Sequence, residues 1–397
     1  MIGDSGVLGA WPQGRLDWGP MPSQARELFF NPPLLSDGNK VRLLVDGGEA
    51  FPRILEAIAG ARHSVLVEMY TFAADVTGKK FAAALIDRAR AGVTVRVLYD
   101  GLGSIETPTS LFQSIRAAGA IVTPYRPLNW FSARRRDHRK LVVVDGSVAF
   151  LGGMNFSDEY APESEGGQGW HDVQVEIAGP EVADLITLFA QTWVQEEDDP
   201  LFPQGWPPSP RKHPPGTLVA AIGSDHRRNR KAIGNAYLHA LQHAKKRVWI
   251  SNAYFVPSLR IHRAIRYAAR RGVDVRVLAP VKTDVKPVYH ATRALFDGLL
   301  RRGVRIFEFQ GPVLHAKTAV IDGVWGAVGS FNLDNISILR NLEITAIVMD
   351  EGFGKQMEAQ FEKDCAASKE VRLAEWRKRG LGARILEQFC FAFRSFL

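Results

Sequence analysis

Two stretches of this sequence carry side chains able to do chemistry at phosphorus, and they are spaced alike. In the first, His138 and Lys140 precede Asp145-Gly146, and Gly152-Gly153-Met154-Asn155 follows. In the second, His315 and Lys317 precede Asp322-Gly323, and Gly329-Ser330-Phe331-Asn332 follows. Every interval matches: two residues from His to Lys, five from Lys to Asp and ten from Asp to Asn. A lone His-x-Lys is usually a surface pair, whereas two sets in register are a strong signal. Imidazole, ammonium and carboxamide groups from each half suit a tetrahedral phosphodiester. An unperturbed imidazole pKa of ~6.5 lets one histidine be neutral and the other charged near pH 7.

Residues i and i+2 of a strand share a face, so His138 points with Lys140 and His315 with Lys317. Asp145 and Asp322 have the opposite parity. Each begins an Asp-Gly pair between apolar runs, a hairpin signal, so they are expected to fix turns or pair remotely. The elements around these motifs repeat as well. Ala61–Phe72 resembles Ala244–Phe255, each an apolar strand ending in aromatics after a helical stretch. Helix-Gly-strand signatures recur at Gly92 and Gly272, and again at Gly119 and Gly303. Strands alternating with helices predict a duplicated α/β fold, each half a mixed sheet flanked by helices. Seven prolines between Pro200 and Pro215 place the boundary. The expected units are an irregular arm over 1–38, a first domain over 39–199, a linker over 200–216, a second domain over 217–370 and a helical tail over 371–397.

The duplicated His-x-Lys-x4-Asp pattern resembles that of the phospholipase D superfamily, over almost the whole chain beyond the arm. Gly152–Tyr160, Trp170-His171-Asp172, Asn252–Phe255 and Gly329–Glu343 are similar to bacterial cardiolipin synthases, especially the shorter kind that lacks N-terminal membrane helices. The resemblance implies two tandem repeats packed about a pseudo-twofold axis with the active site between them. It implies transfer of a phosphatidyl group from phosphatidylglycerol to a second phospholipid through a phosphohistidine, releasing glycerol or a similar alcohol, with no metal and no cofactor. His138 would be the nucleophile and His315 the acid/base, an assignment the duplication makes reversible. Lys140, Lys317, Asn155 and Asn332 would hold the non-bridging oxygens, and Asp145 and Asp322 complete the catalytic set. Asp172 and Glu343, late in each half, would each accept the second ring N–H of its histidine and set the tautomer. Arg134, Arg135 and Arg136 form a candidate phosphate-collecting rim, and Tyr70, Tyr254 and Trp170 candidate substrate contacts. His171 stands where many relatives carry arginine, which weakens or replaces a headgroup contact.

Composition agrees with a phosphate-bearing partner. Fifty Lys and Arg against 42 Asp and Glu leave a net charge of +8, which suits anionic lipid or nucleic acid. With 46% hydrophobic and 23% charged residues the chain is globular, not disordered. Two cysteines, Cys365 and Cys390, make neither a disulfide framework nor a thiolate metal site. The N-terminus lacks a signal-peptide pattern, and no stretch approaches the ~18 apolar residues of a spanning helix. The expectation is a peripheral protein of the bacterial inner membrane acting on anionic phospholipids, not on nucleic acid. At the tail, Ile385, Leu386, Phe389, Phe393, Phe396 and Leu397 recur at helical spacing among Arg377, Lys378, Arg379, Arg384 and Arg394. Such a stripe is usually core; the alternative is an interfacial helix on an anionic leaflet. The competing activity is hydrolysis, by a phospholipase D or other phosphodiesterase including a nuclease. A nuclease is expected to show base-stacking aromatics along a basic groove. A non-catalytic lipid-binding scaffold is disfavoured because both sets keep His, Lys and Asn.

Overall fold

A computed structural model describes residues 23–31, 34–126, 135–197, 211–225 and 229–396. Arg134, most of the arm, most of the proline-rich segment and Leu397 lie outside the described residues. The first half contributes β1 (Ser36–Val45), β2 (Ser64–Met69), β3 (Thr94–Asp100), β4 (Ile121–Tyr125), β5 (Lys140–Val144), β6 (Val148–Gly152) and β7 (Val173–Ala178). The second contributes β8 (Thr217–Gly223), β9 (Arg247–Asn252), β10 (Asp274–Pro280), β11 (Arg305–Phe309), β12 (Lys317–Ile321), β13 (Trp325–Gly329), β14 (Ile344–Met349) and β15 (Ser368–Val371).

The order β4-β3-β2-β5-β6-β7-β1 in one half is repeated as β11-β10-β9-β12-β13-β14-β8 in the other, with β15 added beside β11. Parallel pairs (β2–β3–β4, β9–β10–β11) sit next to antiparallel ones, so each half is mixed, as expected. One sheet per half is not what forms. The edge strands β1 and β8 pair antiparallel, giving a continuous sheet of 15 strands among the described residues. Joining two edges satisfies backbone groups that each half alone would leave open.

The central strands are apolar on both faces because both faces are covered. Every residue of β2, β5 and β14 is buried. Leu141, Leu151, Val175 and Ile177 of the first half share one core with Val320, Val328, Ala346 and Val348 of the second, while each half keeps a separate core under its outer helices. On the outer face of the first half, the helix Asp46–Ala59 buries Ala50, Phe51, Ile54 and Ile58, one stripe at helical spacing. Gly92 and Gly272, at φ of 83° and 87°, end the helices before β3 and β10 in a left-handed conformation that glycine adopts without a Cβ clash.

Both chain ends depart from expectation. Part of the expected arm belongs to the folded unit: Ser36 opens β1, and Ala25, Leu28, Phe29 and Leu35 are buried in the second half's core. Glu27 anchors it, its carbonyl 2.8 Å from His239 Nε2 and its carboxylate 2.8 Å from Lys245 Nζ. The tail stripe is not core. In the helix Leu381–Ala392, Leu381, Ile385, Leu386 and Phe389 are exposed, as is Phe393 at its end, while Glu387 is 3% exposed. Glu387 faces inward because Arg293 and Arg379 both pair with it. No described helix is long and apolar enough to cross a membrane.

Candidate active site

Two isolated parallel bridges bring the motifs together. Asp137 pairs with Leu342, with His138 N–H donating to the Leu342 carbonyl at 2.9 Å. His171 pairs with Leu314, with His315 N–H donating to the His171 carbonyl at 2.8 Å. Each histidine therefore lands beside the carboxylate of the opposite half. His138 Nδ1 is 3.0 and 3.1 Å from the Glu343 oxygens, and His315 Nδ1 is 2.7 Å from Asp172 Oδ2. The pairing within each half expected from sequence is replaced by a crossed one.

Both carboxylates are fully buried and differently seated. Ser330 donates its hydroxyl to Glu343, and Asn341 Nδ2 donates at 3.3 Å. Asp172 is shorter and packs on Gly153, where an added Cβ would lie 2.3 Å from the carboxylate. Lys140 and Lys317 return to the carbonyls of His138 and His315, and Lys317 Nζ is also 3.1 Å from His315 Nε2. No hydrogen bond among the described residues ties down His138 Nε2. Asn155 donates to the Tyr160 hydroxyl at 3.1 Å, which lies 3.2 Å from His315 Nδ1. Asn332 keeps a buried Oδ1 with no hydrogen-bond partner among the described residues.

Burial governs the charges. It drives His315 well below the ordinary imidazole value, with Lys317 and Lys140 adding, and lowers His138 against the opposing pull of Glu343. Lys140 is lowered to about 7 by burial, and Lys317 is lowered by the same cause. Burial raises Asp172 to about 6. For Glu343 burial also raises, but His138 and Lys140 together with hydrogen bonds outweigh it and the carboxyl lies below its ordinary value. The cluster thus holds two neutral imidazoles and two ammonium groups reluctant to be charged without an anion. A bound phosphodiester would reverse that preference.

The aromatic candidates lie near the two histidines. The Tyr70 ring is 4.9 Å from His138 and 4.8 Å from Lys140 Nζ. Trp170 and Tyr254 lie 5.6 and 6.3 Å from His315.

Other candidates lie elsewhere. Asp145, at φ 51°, accepts from the backbone N–H of Arg62, His63 and Ser64 at 2.7–3.2 Å. Asp322, at φ 54°, does the same for Lys245, Lys246 and Arg247 at 2.8–2.9 Å. Five strand residues, roughly 16 Å, separate them from the lysines, so they fasten β2 and β9 and do not belong with the reacting groups. Arg136 is 6% exposed, with its Nε turned in to Asp100 at 3.5 Å, and so is no exposed rim cation; Arg135 is exposed. His171 faces away from the cleft, between Asp46 (2.7 Å) and Asp364 (3.1 Å). Against the cost of burial, these carboxylates raise it to about 10, making a fixed internal cation. Sequence reasoning gave no role to Asp284, which accepts the Tyr254 hydroxyl at 2.5 Å. It lies outside the duplicated motifs, the one signal used. Tyr160 stands inside a quoted motif, yet its counterpart by position is Ser337, so repetition did not single it out. Among the described residues no group of three or more His, Cys, Asp or Glu side chains could hold a metal ion.

Comparison with known proteins agrees with this architecture. Residues 54–193 and 237–365 match the family model described as cardiolipin synthase, PLD-like domain. The chain is 37% identical over 358 residues to cardiolipin synthase A of Pseudomonas entomophila, covering 87% of this chain and 74% of that protein. It is 34% identical over 358 residues to the Pseudomonas fluorescens protein of the same name, with the same coverage. The crystal structure of phosphatidylserine synthase from Haemophilus influenzae superposes with a TM-score of 0.71 over 90% of this chain and 95% of that one, at 15% identity. Polyphosphate kinase from Porphyromonas gingivalis shares the fold at a TM-score of 0.56, covering 89% of this chain and 56% of that one at 12% identity. With two segments that match the family model and relatives 37% identical over 87% of its length, the chain belongs to the cardiolipin synthase family of phospholipase D-like proteins.

Proposed function

We propose that this protein is a phosphatidyl transferase that makes cardiolipin from phosphatidylglycerol at a membrane surface. The observation that carries the reading is the crossed pairing, which gives two imidazoles of opposite halves one shared site. Glu343 accepts a hydrogen bond from the His138 Nδ1–H, which fixes the tautomer and leaves the Nε2 lone pair for phosphorus. Nε2 attacks, the phosphorus–oxygen bond to glycerol breaks, and the leaving oxygen takes a proton from His315. The phosphate's negative charge opposes Lys140 and Lys317 and so favours the imidazolium this step needs. In the second half-reaction the hydroxyl of another phosphatidylglycerol gives its proton to His315 and attacks phosphorus. The bond to His138 breaks, and cardiolipin leaves. Asp172 orients His315 and stabilises its charged form. His138 is the nucleophile in this reading because no described residue bonds its Nε2, whereas Lys317 Nζ lies 3.1 Å from that of His315.

Water at ~55 M competes, and a held acceptor hydroxyl with an effective molarity of ~10⁵ M or more outcompetes it if the cleft stays dry. Tyr70, Tyr160, Trp170 and Tyr254 surround the histidines and suit that requirement. Purified protein given phosphatidylglycerol vesicles should yield cardiolipin and glycerol in equal amounts, with phosphatidic acid minor, by mass spectrometry. Predominant phosphatidic acid at every lipid concentration would assign the site to a hydrolase, and comparable cleavage of DNA to a nuclease.

A further inference from the structure

The tail helix Leu381–Ala392 turns its apolar side away from the protein. Ile385 and Phe389 are 60% and 61% exposed, and Leu381, Leu386 and Phe393 form the same outward surface. This orientation is fixed from below. Glu387 pairs with Arg293 and Arg379, and both guanidinium groups lie over the Trp376 ring. Cys390 and Phe391 meet Val256, Val288 and Ala291, in a small cluster that also touches Tyr254. Beyond the helix, the carbonyls of Arg394 and Ser395 accept from Asn335 and Arg340 at 3.2 and 3.3 Å. The tail is thus clamped next to the segment that carries Asn332, and beside the tyrosine that faces His315.

Around this surface the charge is mostly positive, with Asp297, 3.4 Å from Arg377, and exposed Glu375 as the acidic exceptions. Arg377, Lys378 and Arg384 are exposed next to the apolar residues. At the foot of the tail a groove of about 330 Å³ is lined by Lys231, Arg260 and Arg394 together with exposed Leu259 and Leu339. Aromatic and aliphatic side chains projecting outward between basic ones match the interface of an anionic bilayer, where rings enter the acyl boundary and cations meet headgroup phosphates.

We infer that the face made by the Leu381–Ala392 helix and the adjoining basic groove docks on an anionic phospholipid bilayer and sets the catalytic cleft against the lipid that it uses. This rests on the lipid-transferase reading for the identity of the partner. The side chains concerned are exposed, so serine at Ile385, Phe389 and Phe393 leaves the core intact.

The test uses the full chain. Wild type and the triple variant Ile385→Ser, Phe389→Ser, Phe393→Ser are sedimented with vesicles of phosphatidylglycerol and phosphatidylcholine, and with pure phosphatidylcholine. Both are also assayed on phosphatidylglycerol dispersed in detergent. The triple variant should bind the anionic vesicles at least 10-fold more weakly and lose vesicle activity in proportion, yet keep its rate on dispersed substrate. Wild type should bind phosphatidylcholine poorly. Unchanged binding and vesicle activity in the variant would overturn the inference. So would a wild-type dimer that the substitutions dissolve while vesicle binding persists, since the face would then be a subunit interface. If tail-dependent vesicle binding is found but no cardiolipin is made, the docking stands and the proposed activity fails.

Discussion

Replacing Glu343 by Gln keeps the side-chain volume and removes the charge that faces His138. Once His138 carries charge, a carboxylate 3.0 Å away, in an environment of effective dielectric about 20, is worth about 5 kcal/mol before desolvation, against about 1.4 kcal/mol in water. Glu343 is fully buried and His138 nearly so, and the carboxylate raises both His138 and Lys140. Without it, Lys140, already at about 7, drops further and is largely neutral at pH 7. His138 loses both its tautomer control and the stabilisation of charge that builds on it as phosphorus bonds form. Orienting carboxylates and transition-state donors of this kind are each worth about 2.7–4 kcal/mol or more, so the rate should fall roughly 10²–10⁴-fold. Cardiolipin formation from phosphatidylglycerol vesicles, followed by mass spectrometry from pH 5 to 9, would measure it, with circular dichroism to show a folded variant. A folded variant retaining more than a tenth of the wild-type rate would refute the argument that Glu343 prepares His138.

Gly153→Ser should cut the rate by at least ~10-fold in a folded protein, because the new Cβ meets Asp172 and displaces the carboxylate that holds His315; wild-type turnover would contradict it. Asp145→Asn should lower stability by about 1–3 kcal/mol through weakened acceptance from three backbone amides, while the folded enzyme turns over normally; denaturant titration beside the rate assay separates the two. The His171 imidazolium should add stability that is complete below pH ~6.5 and disappears as pH rises through about 10, because its folded value lies above its unfolded one. The deficit of His171→Gln should accordingly be a few kcal/mol at pH 6 and narrow toward pH 10, and a deficit independent of pH would exclude a charged His171.

The duplication was legible because strand parity and fixed intervals are local properties. His138 with Lys140, the Asp-Gly hairpins and the helix-ending glycines each depend on a few neighbouring residues, and all occur where the pattern puts them. The site's wiring was not. Glu343 stands 205 positions from His138, and Asp172 stands 143 from His315, so which carboxylate meets which imidazole depends on two bridges between halves that no interval encodes. Sequence showed a basic triplet before His138, but the buried carboxyl of Asp100 drew Arg136 inward. The apolar tail stripe has the same period whether it faces a core or a membrane. Arg293, supplied by a helix 94 positions earlier, pairs with Glu387 and turns that stripe outward. Periodicity specifies that a face exists; only the groups packed against the helix decide the direction it faces.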